Sequence, residues 1–222
     1  MSAHGIKTVY FWSLDDNGKV ITGDKGLTQN GMYEANGTGE GFTAANITGL
    51  EVEGTQQYAN DTVKRVSYGK AQPKVALTAL DLNHDILMKM KGYVKDSKGG
   101  FVKGLKKPHI AMLIVSTSLA DNTIHSYEGL ANTEVVEEAS NHSTDTNTEA
   151  DADTTLNASV MNPLDPKVFV DPNDSTHQEP YKIWFSDEQG FDLAAVMKEV
   201  GGGWQAVNAP QSLNAPTPQS ND

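Results

Sequence analysis

HIAMLIVS, residues 109–116, is apolar at every position from Ile110 to Val115. A strand that faces water on one side alternates apolar and polar residues. A run apolar on both faces marks a central strand covered on each side. The fold is therefore expected to be built on a sheet with this strand near its middle. Upstream, KTVYFWS (7–13) and KVIT (19–22) flank DDNG (15–18), two β-prone segments around an Asn-Gly turn that predict a hairpin. The Gly/Asn-rich stretch 25–42, KGLTQNGMYEANGTGEGF, reads as a long irregular loop.

From residue 48 the texture changes to TGLEVEGTQQY, then ANDT, then VKRVSYGKAQPKVALTAL, ending at Leu80. In its last part Val75, Leu77 and Ala79 share one side of a strand, with Ala76, Thr78 and Leu80 on the other. Ala-Gln-Pro (71–73) interrupts pairing just before it, because proline donates no ladder hydrogen bond. Downstream of the central strand come TIHSYEGLA (123–131) and TEVVEEAS (133–140), with turns expected at Ala-Asp-Asn and at Gly-Leu-Ala-Asn. LNASVMN (156–162), KVFV (167–170) and YKIWFS (181–186) add three more short β segments.

Two segments read as helices. In DLNHDILMKMKG (81–92), Leu82, Ile86 and Met90 make one stripe, Asp81 or Asn83 caps the start and Gly92 closes the end. In FDLAAVMKEVGGG (191–203), Asp192 is the cap, Leu193, Val196, Met197 and Val200 form the buried side, and Gly201 stops it. Each spans about three turns, too few to be stable unless packed on something larger. The expected fold class is thus mainly β, an antiparallel sandwich or barrel with one or two short flanking helices, over residues 1–203. Residues 204–222, rich in Pro, Asn, Ser and Gln and without periodicity, read as a flexible tail.

Composition limits the chemistry. Acids outnumber bases 29 to 17, for a net charge of −12, so the overall field repels nucleic acid and anionic membrane. There is no cysteine, which removes disulfides, thiolate metal sites and a cysteine nucleophile together. The N-terminus lacks the pattern of a secretory signal, and no apolar run approaches the roughly 20 residues of a membrane span. The six histidines lack metal-ligand spacing, and neither a phosphate-binding loop nor a nucleophile elbow is present. DTNTEADAD (145–153) starts like a calcium loop. It carries Ala150 where the sharp turn needs Gly, and Leu156 where the bidentate Glu belongs. No catalytic residue, metal or cofactor is expected, and the chain reads as a non-enzyme.

Two charge features stand out. Between Lys89 and Lys107 lie seven lysines and one acid, Asp96. This block is either a solvated loop or a contact surface for an acidic patch on another copy, with Lys103, Lys106 and Lys107 as its core. In the stretch 145–153, Asp145, Glu149, Asp151 and Asp153 share one parity with Asn147. If extended, they form one acidic row opposite small residues, ordered only when neighbouring subunits complete its hydrogen bonds. The other reading is a disordered hairpin tip.

The run ITGLEVEGTQQYANDTVKRVSYGKAQPKVALTALDLNHDILMKMKGY resembles the major tail protein family of long-tailed bacterial viruses. The likeness continues in order through KGGFVKGLKKPHIAMLIVSTSL, EGLANTEVVEEASNHSTDTNTEADADTTLNASVMNP and IWFSDEQGFDLAAVMKEV, covering about residues 5 to 200. None of these pieces is a catalytic motif. The resemblance implies a β-sandwich flanked by a helix, hexameric rings stacked into a hollow tube around a tape-measure protein, and a place in the virion tail after assembly in the host cytoplasm. DNA would pass through the lumen without specific binding, and the acidic row Asp145, Glu149, Asp151 and Asp153 would face that bore. No membrane partner is implied. The alternative is a monomeric β-sandwich that binds a receptor or carbohydrate, with Tyr10, Trp12, Trp184 and Trp204 as stacking platforms.

Overall fold

The computed structural model describes residues 3–136 and 154–206. In chain order its elements are β1 (Ala3–Leu14), β2 (Met32–Glu34), β3 (Phe42–Thr48), β4 (Thr55–Ala59), β5 (Thr62–Ser67), β6 (Lys74–Ala79) and α1 (His84–Lys91). There follow β7 (Tyr93–Lys95), β8 (Phe101–Lys103), β9 (His109–Ser118), β10 (His125–Val136), β11 (Thr154–Val160), β12 (Val170–Asp171), β13 (Asp174–Gln178), β14 (Lys182–Phe185) and α2 (Leu193–Val200). The main sheet is antiparallel, in the order β2-β1-β9-β10-β11-β6-β3, with β14 added on β10. The fold is mainly β and sandwich-like, as the sequence implies, and it does not close into a barrel.

The strand that decides the fold lies where its composition places it. Ile110, Met112 and Ile114 of β9 point into one core, and Ala111, Leu113 and Val115 into a second on the opposite face. The first core is enclosed because the sheet bends until β3 approaches β1, bringing the Phe42 ring 5.7 Å from Phe11. Val75, Leu77 and Ala79 of β6 enter it, the side expected from their alternation. The second core is covered by α2, through Val196 and Val200, together with Phe169 and Trp204.

Both helices form as expected. Asn83 caps α1, its side chain accepting from the Asp85 and Ile86 amides, and Gly92 ends it at φ +81°, a left-handed position that disfavours a side chain. Leu82 and Met90 of the expected stripe are buried in the first core and Ile86 packs against it partly buried, with Leu87 covered beside them. Asp192 caps α2 through the Ala194 amide.

Four local expectations need correction. The Asn-Gly turn forms, but the returning segment makes only one bridge, Leu14 with Val20. Val20 N–H donates instead to Gly202 O at 3.1 Å, and β1 pairs with β2 and β9. The stretch 25–42 is not wholly irregular, since it supplies edge strand β2, whose Tyr33 is buried. KVFV is mostly not a strand, because Phe169 takes a left-handed φ of +56° before the two-residue β12.

The fourth correction is the largest. Gly-Leu-Ala-Asn is no turn, and β10 runs unbroken from His125 to Val136. Its register with β9 slips between Leu130 and Thr133, a β-bulge that keeps both Leu130 and Val135 in the first core. Asn132 fixes the bulge, lying 3.0 Å from His109 Nδ1 and donating to Asn162 O. Gly129 serves packing: a Cβ there would meet Trp184 at 2.7 Å and Val200 at 2.9 Å.

Candidate functional site

β3 and β6 are neighbours, yet the chain between them does not turn at the sheet margin. It continues outward as a second hairpin, β4 and β5, so residues 49–73 form an arm. Asn60 and Asp61 make its two-residue turn, with φ of +52° and +58°, the geometry that matches strand twist. At the root Gln72 N–H donates to Gly49 O, and Gly49 has φ +70° with no room for a Cβ beside the Gln72 carbonyl.

Every residue of β4 and β5 is exposed. Tyr58, opposite Val63, is 67% exposed, Tyr68 is 74% exposed, and Val66 also faces solvent. Arg65 is held by its guanidinium on Gln57 Oε1, at 3.0 and 2.7 Å. A two-stranded hairpin without a covered face is marginal alone, so this one is suited to a surface that another molecule completes. Sequence reading places a strand only at the end of this stretch, around Val75 to Leu80, and finds neither β4 and β5 nor their projection. The available signal is that Thr, Gln, Lys and Arg dominate both strands and leave no continuous apolar row.

The lysine block forms a second exposed hairpin, β7 with β8, directly after α1. Val94 and Val102 lie opposite each other, each 63% exposed, and Leu105 is fully exposed beyond them. Asp96 organises the turn by accepting from the Lys98 and Gly100 amides, both at 2.8 Å. Lys95 sits 3.0 Å from Asp85 and lies over the Phe101 ring. Its hydrogen bond holds the Asp85 carboxyl below the usual carboxylate range.

The three lysines singled out from sequence do not share one environment. Lys103 is exposed, and Lys106 is exposed with a loose 3.9 Å approach to Asp16. Lys107 turns inward, donating to Lys91 O at 3.2 Å and to Val135 O at 2.6 Å. It ties the hairpin to the end of β10. Lys89 is likewise structural, donating to Asp24 O and Gly26 O. The acidic row Asp145, Glu149, Asp151 and Asp153 lies outside the described residues, between the end of β10 and the start of β11.

The aromatic platforms of the alternative reading are largely consumed by packing. Trp12 is fully buried and Trp204 nearly so, their rings 6.2 Å apart, and Trp204 Nε1 donates to Asn30 O. Trp184 packs on Phe169, with Lys182 over its face and paired to Glu199 of α2. Tyr10 is half-buried, its hydroxyl pKa pushed up to about 12 by burial and then by Glu34. Trp204 therefore belongs to the packed body. Among the described residues no group of three or more His, Asp or Glu side chains is placed to hold a metal. No described helix is long and apolar enough to cross a membrane.

The chain is thus a mainly-β structural module with two hairpins projecting from its body. The family model described as phage tail tube protein matches residues 1–209, and the chain belongs to that family. It is a structural component of the virion tail, assembling with itself and other tail components into a tube. Among curated proteins, none matches the chain.

Proposed function

We propose that this major tail protein closes into hexameric rings that stack as a hollow tube around a tape-measure protein, and that the tube later conducts viral DNA. The observation that carries the reading is the arm, residues 49–73, whose exposed Tyr58, Val63, Val66 and Tyr68 are left for another copy to cover. Two further features support it. Among the described residues the sheet ends at β2 and β3 with no further strand hydrogen-bonded to either, and an edge is a template for pairing with another chain. The lysine hairpin offers an apolar pair, Val94 and Val102, rimmed by Lys103 and Lys106, which suits contact with an acidic face of a neighbouring subunit. Lys107 acts there as a brace.

In the same reading Asp145, Glu149, Asp151 and Asp153 face the bore. Phosphates are repelled within roughly 8 Å of the wall at physiological salt, so DNA passes without adhering.

The direct test removes the arm. Residues 50–71 are deleted and the β3–β6 hairpin is closed with Asn-Gly. Wild-type protein is expected to form tubes or rings under the electron microscope, whereas the armless chain stays a folded monomer by circular dichroism and sedimentation. Polymerisation of the armless chain at the wild-type rate would overturn the reading.

A further inference from the structure

A groove of about 1210 Å³ runs between the base of the arm and the β13 hairpin. One wall carries Leu50, Val52 and Tyr68; the other carries Pro180 and Tyr181, with Pro73 at the floor. The far wall is firmly held. Gln178 Nε2 donates to Asp165 O and Val168 O, and Asn162 Nδ2 donates to Gln178 O. The rim mixes signs, with Glu51 and Glu179 beside Lys70, so it presents no run of one charge to a polyanion or a polycation.

Two tyrosines beside two prolines, with polar groups at the rim, form the kind of surface that takes an extended, proline-containing peptide. A polyproline II segment loses little entropy on docking and exposes its carbonyls to side-chain donors. This chain carries such a peptide. Residues 207–222, VNAPQSLNAPTPQSND, contain Pro210, Pro216 and Pro218, no Lys or Arg, and only Asp222 as an acid. A nearly uncharged segment rich in Asn, Gln and Ser matches a groove of mixed charge.

The geometry allows the encounter. The described chain ends at Ala206, two residues after Trp204 is seated in the second core. Phe169 belongs to that core, and its carbonyl accepts from the Glu179 amide, so the groove wall is bonded to the layer from which the segment departs. Sixteen residues (222 − 206) at about 3.1 Å each reach on the order of 50 Å. That is enough for the groove of the same chain or of a neighbour. We propose that the C-terminal segment 207–222 docks in this groove as an extended strap, with Tyr68 and Tyr181 stacking on its prolines.

The absence of cysteine makes a disulfide-trapping test clean in the full-length chain, whatever its state of assembly. Ser212→Cys is combined with Lys70→Cys at the groove, and separately with Lys64→Cys on the exposed outer part of the arm. The groove pair is expected to oxidise at least about tenfold faster than the arm pair. On non-reducing gels an intrachain loop or a crosslinked dimer both support the strap, in its own groove or in a neighbour's. Adding Tyr68→Ala, or Pro210→Ala with Pro216→Ala and Pro218→Ala, is expected to slow the groove pair toward the rate of the control. Equal rates for the two pairs, or no effect of Tyr68→Ala, would overturn the proposal. The inference does not depend on the tube reading, because trapping is scored on the chain itself and polymerisation is scored separately by microscopy.

Discussion

β3 with β6 and β4 with β5 are two antiparallel pairs, an inner and an outer half set in succession along the same two runs of chain, and they live under opposite rules. In the inner half, Leu77 and Ala79 are fully buried in the first core, with Leu156 of the adjacent strand β11 directly beside Leu77. In the outer half every residue of both strands is exposed, although Val63, Val66 and Tyr58 are large apolar side chains, as is Tyr68 just beyond them. The difference teaches where the information for each half resides. The inner ribbon is specified by the subunit's own core, because a register slip of one residue would turn Leu77 to solvent. The outer ribbon gains little in the isolated subunit beyond its ladder and turn, so its side chains answer to whatever covers them in the assembly.

The largest contrast comes from truncating one apolar side chain in each half. Leu77→Ala removes a fully buried side chain and leaves a cavity, a destabilisation of about 2–5 kcal/mol. Val66→Ala is expected to move stability by less than about 0.5 kcal/mol, yet to slow tube formation severely. Urea unfolding of the monomer with light-scattering growth curves checks both. If Val66→Ala weakens the monomer as much as Leu77→Ala does, the arm is part of the core after all.

The same contrast explains which parts of the fold are legible in the sequence. β9, β6 and both helices were legible because burial writes itself into periodicity: Ile110 to Val115 apolar on both faces, Val75, Leu77 and Ala79 on one, Asn83 and Asp192 at caps. Gly129 misled, since a glycine demanded by Trp184 and Val200 looks in sequence like a turn residue. β2 was hidden because a three-residue edge strand carries too little pattern. At the candidate site the lysine block was visible as composition. That Lys107 points inward, to Val135 O, depends on a contact 28 residues away that no local spacing encodes. The arm's projection is a property of missing neighbours, which a single chain does not spell out.

Two glycines sharpen the comparison further. At Gly129 a methyl group would press on Trp184 and Val200, both packed in the second core, and Gly129→Ala is expected to cost about 1–3 kcal/mol. At Gly54 the clash is nominally worse, with Val66 Cγ1 at 2.3 Å and the Tyr68 ring at 2.8 Å, but both are exposed side chains outside either core. Gly54→Ala is expected to stay within about 0.5 kcal/mol of wild type. Differential scanning calorimetry of the two variants tests this, and a larger loss at Gly54 would mean the arm is packed and rigid in the free subunit.

The smallest expected effect is electrostatic, and it differs in sign between the sheet and the lysine hairpin. Glu128 on β10 is half-buried, and desolvation raises its carboxyl pKa. A folded-state pKa above the unfolded value means the fold prefers the protonated form, so this contribution is present at low pH and lost as pH rises. Glu128→Gln is therefore expected to raise Tm by ~1 °C at pH 7 and to match wild type near pH 3. Asp85 is shifted the other way, chiefly by its hydrogen bond to Lys95. Its contribution is present at neutral pH and lost as pH falls through the lowered pKa, and its contact with solvent keeps it small. Asp85→Asn is expected to lower Tm slightly at pH 7 and to leave it unchanged under acid conditions. Thermal scans of both variants from pH 3 to pH 8 should give curves that approach wild type together in acid and part in opposite directions toward neutrality. Curves parting in the same direction would show that Glu128 has a cationic partner that offsets its burial.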